Sequence, residues 1–186
     1  MTDLLPQPEF SRLVKSAEIP HKGLQFDIEA TPNECQKLAQ RFGLIAIEAL
    51  SAHIRLFPAK DLIRLEGRLK ARVVQSCVVT LDPVDQAIDE DFSRVYGDDE
   101  ALEAARLAME AEIEIDPLAD DLPDPLIDGC IDVGEAAAEE LALNLDPFPR
   151  KPGASLEGSP WAAKEEAIRG PFAALSKLRD KFDKKV

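Results

Sequence analysis

Apolar residues recur along this chain with two periods, and the change from one to the other marks out its elements. Over residues 24–29, Leu24, Phe26 and Ile28 alternate with Gln25, Asp27 and Glu29, the period of two that predicts a strand. At 31–43 the spacing changes. Cys35, Leu38, Ala39 and Phe42 fall at i, i+3, i+4 and i+7, Thr31 and Glu34 stand at capping-box spacing, Pro32 takes the first turn and Gly43 stops the helix. A period of two returns at 44–57. It is clearest at 63–73, where Ile63, Leu65, Gly67, Leu69, Ala71 and Val73 face one way and Arg64, Glu66, Arg68, Lys70 and Arg72 the other. Gly67 there marks a bulge or a close approach. Residues 10–19 read as a first strand, 77–81 as a continuation of the basic one, and 88–96 as a further strand. Residues 98–112 read as a helix. From Val133, the residues Val133, Ala137, Leu141 and Leu145 recur every four positions on a helix that Asp132 caps, with Glu135 at capping-box spacing and Pro147 and Pro149 beyond its end.

Short turns, such as 58–61 and Asp82-Pro83, join these strands, so antiparallel pairing follows. The expected fold is α+β: an antiparallel sheet, curved or barrel-like, carrying two to three helices, with an extended C-terminal tail. Residues 1–152 form one domain in this reading, and 153–186 a linker and an amphipathic, basic tail. Residues 116–128 hold three prolines and five aspartates and read as irregular.

Charge changes the picture. The net charge of −14 should on average repel nucleic acid and anionic membranes. It is concentrated: residues 86–147 hold twenty Asp and Glu against only Arg94 and Arg106, so the rest of the chain is near +4. That segment is either a solvated acidic surface or a patch for a basic partner. Its helix carries Glu139 and Glu140 off the apolar stripe, as candidate partner-binding residues. Three widely spaced cysteines argue against a disulfide framework, and no basic, apolar leader opens the sequence, so a cytoplasmic, reduced setting is expected.

Catalytic chemistry has no positive support. The nine glycines are scattered, so no phosphate-cradling loop forms, and Gly-x-Ser-x-Gly is missing. Cys77 lies on the apolar parity of its strand and His53 on the polar parity, which separates them across a sheet. Residues 120–124 do not follow a calcium-loop register. No cofactor or metal ligand set is expected, since no cysteine has a Cys-x-x-Cys partner. The strongest positive feature is the row Arg64, Arg68, Lys70 and Arg72, which spans roughly 27 Å of strand and can track phosphates. These four are the candidate RNA-binding residues. The other readings are a solvated face, or pairing with the acidic segment that masks the row.

Three segments resemble the YceD family, named for a large-ribosomal-RNA accumulation protein. The first comprises Ile131-Asp132-Val133, Glu140-Leu141-Ala142-Leu143 and Pro147-Phe148-Pro149, which look like that family's helix start, run and Pro-x-Pro exit. The second is residues 171–178, where Pro171, Phe172, Leu175 and Leu178 look like its Pro-Phe-Ala-x-Leu-x-x-Leu ending and join the partner-binding candidates. The third is Cys77-Val78-Val79-Thr80, which keeps only the first cysteine of a Cys-x-x-Cys that many YceD-like sequences have. The acidic insert and the exit at 149–153 resemble the alphaproteobacterial branch. The resemblance implies a non-enzymatic role in accumulation or processing of large-subunit (23S) ribosomal RNA, with that RNA or a basic ribosomal protein as partner. The alternatives are an acidic, protein-only module that holds a basic protein and, with least support, a nuclease.

Overall fold

Alternation decides where the sheet lies. The computed structural model describes residues 8–111 and 122–155, with 105 and 108–111 in backbone only. Its elements run β1 (Leu13–Lys15), a 3-10 turn (Ser16–Glu18), β2 (Leu24–Glu29), α1 (Pro32–Phe42), β3 (Ala46–Ala59), β4 (Leu62–Ser76), β5 (Pro83–Gly97), α2 (Asp99–Ala111), β6 (Asp124–Pro125), β7 (Cys130–Asp132) and α3 (Val133–Leu143). The fold is α+β. Five strands form one sheet in the order β2-β3-β4-β5-β6, while β1 and β7 pair as a separate antiparallel ribbon. All neighbours in the large sheet are antiparallel except β5 and β6, which run parallel over two residues.

The barrel-like alternative is not what forms. The strand order ends at β2 on one side and β6 on the other, so the sheet stays open. β3, β4 and β5 are long (14, 15 and 15 residues), whereas β2 has six and β6 two, so the outer strands leave long edges uncovered. The register shifts once, between Ile47 and Ala49, and not at Gly67. Gly67 instead makes room: a β-carbon there would overlap the ring of Phe92, its partner on β5.

One face of the sheet is apolar and buried. Leu50, Ile54 and Leu56 of β3 and Leu65, Leu69 and Val73 of β4 join Leu38 of α1, Phe10, Ile131, and Val133, Ala137 and Leu141 of α3 in one core. Local signals set the helices. Thr31 and Glu34 form the reciprocal capping box of α1, and Gly43 ends it with φ 66°. Asp132 caps α3 by accepting from the amides of Gly134 and Glu135. Glu135 does not reach back to complete a box. Its carboxylate takes Arg41 of α1 at 2.7 and 3.1 Å instead, so a tertiary ion pair displaces the local motif.

Two expected strands are shorter than their patterns. Only Leu13–Lys15 of 10–19 pairs, because β7 offers three residues before Gly129, at φ 70°, turns away and accepts from the Ser16 amide. Residues 77–81 are a turn rather than a continuation of β4. The Leu81 amide donates to the Cys77 carbonyl, and Leu81 sits at φ 62°. The irregular 116–128 segment, where described, contains β6. The backbone divides after Lys151.

Candidate functional site

β4 carries its basic residues to the solvent side because its other parity fills the core. Arg68, Lys70 and Arg72 are exposed and Arg64 is half-buried. None of the three exposed cations stands alone. Arg68 donates through Nε to Asp89 at 2.7 Å and lies 3.9 Å from Asp91, while Lys70 is 3.8 Å from Asp89. Arg72 lies 3.8 Å from Glu48. Register brings the β5 carboxylates alongside, with Arg68 opposite Asp91 and Lys70 opposite Asp89, and the short Arg68–Asp89 bond is the diagonal one. Arg68 holds the Asp89 carboxyl below the usual carboxylate range, with Lys70 adding to the effect. Arg68 and Lys70 thus pair with the first strand of the acidic segment, whereas Arg72 pairs with Glu48 outside it. Among the described residues, no carboxylate of 98–128 pairs with Arg68, Lys70 or Arg72.

The rest of that face continues the alternation of sign. β3 presents His53, whose Nδ1 is 2.7 Å from Asp27 of β2, and Arg55, which is 3.4 Å from Glu66. A shallow open groove lies over the middle of the face, lined by His53, Arg55, Glu66, Arg68, Asp91 and Ser93. Charged side chains rim it, while Gly67 and the Phe92 ring also line it.

The acidic helix is less free than its sequence implies. Glu139 binds the guanidinium of Arg94, which is 18% exposed and also lies 3.8 Å from Asp124. Glu140 accepts from the Asn144 side chain at 2.8 Å. Arg94 thus anchors α3 and β6 to β5, a role that periodicity missed. The available signal was a lone arginine inside a strand of carboxylates. Beside it, burial pushes the Tyr96 hydroxyl up to about 12. Pro171, Phe172, Leu175 and Leu178 lie outside the described residues.

Cys77 is fully buried at the end of β4. Its sulfur accepts from the amides of Lys151 at 3.4 Å and Thr80 at 3.5 Å. The Lys151 amide, followed by the hydroxyl and amide of Thr80, holds the thiol down to about 6 against the opposing effect of burial. The thiol also stands where the chain crosses itself: the Val78 amide donates to the Pro149 carbonyl at 2.9 Å, and Lys151 Nζ reaches Asp82 at 3.1 Å. The surroundings do not fit a zinc ion. Thr80 occupies the second cysteine's place, and Cys77 is the one sulfur at the turn. Among the described residues, no three His, Cys, Asp or Glu side chains converge to hold a metal.

A family model described as the large ribosomal RNA subunit accumulation protein YceD matches residues 65–179. The chain belongs to the YceD family. The match begins inside β4, after Arg64, and takes in Arg68, Lys70 and Arg72, the Cys77 turn, β5 with Asp89 and Asp91, and α3, while Glu48 on β3 lies before it. No curated protein and no solved structure matches the chain. Among the described residues, no helix is long and apolar enough to cross a membrane.

Proposed function

We propose that this YceD-family chain supports accumulation of large-subunit (23S) ribosomal RNA in the cytoplasm by binding, without catalysis, and that β4 makes its RNA contact. The observation that carries the reading is the row Arg64, Arg68, Lys70 and Arg72 on the solvent parity of one strand, the last three of them exposed. Its ion pairs are exposed, and such pairs contribute little to stability, so phosphates can take the place of the carboxylates at small cost. The carboxylates would then act as a filter that admits only a ligand with closely spaced negative charge. A chain carrying Arg68→Gln and Lys70→Gln should lose affinity for a 23S-derived fragment and keep its melting temperature. Retained affinity would remove β4 from the account.

The second reading is a protein-only holder of a basic ribosomal protein. It is favoured by the pairing of Arg68 and Lys70 with Asp89, which lowers the net charge of the β4 face. In either reading, Pro171, Phe172, Leu175 and Leu178 are proposed as a recognition peptide. Truncation after Gly170 should then lower partner affinity at unchanged thermal stability.

A further inference from the structure

Among the described residues, β5 is paired along nearly its full length on one side and only at its end on the other. Residues 83–96 pair with β4 in a ladder without a register shift, whereas on the far side only Tyr96 and Gly97 meet β6. From Pro83 to Val95 the outer edge has no backbone partner among the described residues. Exposed edges are usually blunted by shortness, proline, a bulge or a covering element. This edge runs thirteen residues without a bulge, and its proline is at the first of them. What guards it is charge. Asp85, Asp89 and Asp91 stand on the solvent parity, and Glu90 stands on the core parity between Ile88 and Phe92 yet is exposed. Glu90 marks where the inner side of the sheet is open at its rim.

The same charges choose the occupant. A second copy of β5, antiparallel along this edge, would set carboxylates against carboxylates, which disfavours self-pairing. A strand with Lys or Arg on both of its faces would meet Asp85 on one side and Glu90 on the other, with Asp89 and Asp91, shared with Arg68 and Lys70, adding to the negative field. We propose that the free edge of β5 binds an extended basic peptide segment by strand addition, with the main-chain ladder supplying affinity and the carboxylates selecting charge. This deepens the binding reading above by naming a class of protein partner. It leaves β4 to RNA, so the two ligands are held on adjacent strands.

The test uses the full chain and a twelve-residue peptide that alternates lysine pairs with valine or threonine. Two further versions carry backbone N-methyl groups at alternate residues, in the odd or the even register, with the same charge. The unmodified peptide should bind and slow hydrogen exchange at every second amide between Val84 and Val95. One N-methylated register should bind roughly tenfold more weakly or worse, the loss expected when even one net hydrogen bond is removed. Asp85→Asn with Glu90→Gln should weaken the unmodified peptide and leave the fold unchanged. Equal binding by all three peptides would mean charge attraction alone and overturn the proposal. Alternate β5 amides already protected in the free chain, with no peptide bound, would overturn it too. A 23S-derived fragment titrated into the same sample keeps the two readings apart: peptide failure with RNA bound sinks only the strand-addition site, and the converse sinks only the β4 contact.

Discussion

Arg68 on β4 donates through Nε to Asp89 on β5 at 2.7 Å, so the residue best placed to meet a phosphate already holds a carboxylate. Both side chains are about half exposed, and the bond runs diagonally across the strand pair, since Arg68 stands opposite Asp91 and Asp89 opposite Lys70. Asp89→Asn combined with Asp91→Asn should therefore tighten RNA binding. It should also steepen the slope of log affinity against log salt by roughly 0.7 for each further phosphate engaged on a single strand. Filter binding across a salt series measures both quantities, and weaker binding would mean that the carboxylates position the row rather than mask it.

Glu34 ties α1 to the N-terminal segment: its carboxylate caps α1 at Thr31 and takes Arg12 at 2.8 and 3.0 Å. The Arg12 hydrogen bond, with help from Thr31, lowers its pKa from 4.5 to about 2. A depressed carboxylate contributes stability that is present above the unfolded value and lost as pH falls through the folded one. Glu34→Gln should thus cost about 1–2 kcal/mol at pH 7, discounted for partial exposure, and the gap to the parent should close between about pH 4.5 and 2. Urea melts at stepped pH test this, and a pH-independent gap would rule out the charge as its cause.

Cys77 titrates early. With its thiol held down to about 6 by the Lys151 and Thr80 groups, Cys77 should be a thiolate at pH 8 in the native chain. Because the folded value lies below the unfolded one, this group adds stability progressively as pH rises from about 6 to 9, and none below about 6. The 13Cβ shift of labelled Cys77 should move with a midpoint near 6, and Lys151→Pro, which deletes the donating amide, should raise that midpoint. An unmoved midpoint would exclude the Lys151 amide as the cause.

Gly134 sits where α3 crosses the N-terminal segment. A β-carbon there would overlap the Phe10 carbonyl and lie 2.9 Å from the Arg12 amide nitrogen, and neither backbone atom can swing aside. Gly134→Ala should destabilise by about 1–3 kcal/mol despite alanine's better helix propensity. A chemical melt reads this directly, and a gain in stability would show that the crossing is loose.

Features set within a few residues were legible in the sequence. The parity of 63–73 placed Leu65, Leu69 and Val73 in the core and the basic row outside, and Thr31 with Glu34 marked the start of α1. Features set by distant partners were not. Glu135 stood at capping-box spacing, yet it chose Arg41, 94 positions away. The strand read at 10–19 shrank to three residues because its length depends on β7, more than a hundred positions on. Openness of the sheet likewise depends on how little β2 and β6 cover, which no local period encodes. The candidate RNA row was visible, while its neutralisation required the β4–β5 register. Glu139 read as free because its partner Arg94 lies on another element.

Affinity for a 23S-derived fragment at 50 and about 200 mM salt decides whether β4 meets RNA. The parent is compared with a chain in which Arg64, Arg68, Lys70 and Arg72 are all alanine. The account predicts binding by the parent that weakens with salt. In the variant it predicts a salt slope shallower by roughly 3, four phosphates at about 0.7 each, with the fold intact. Equal affinity and equal slope in the two chains would contradict it.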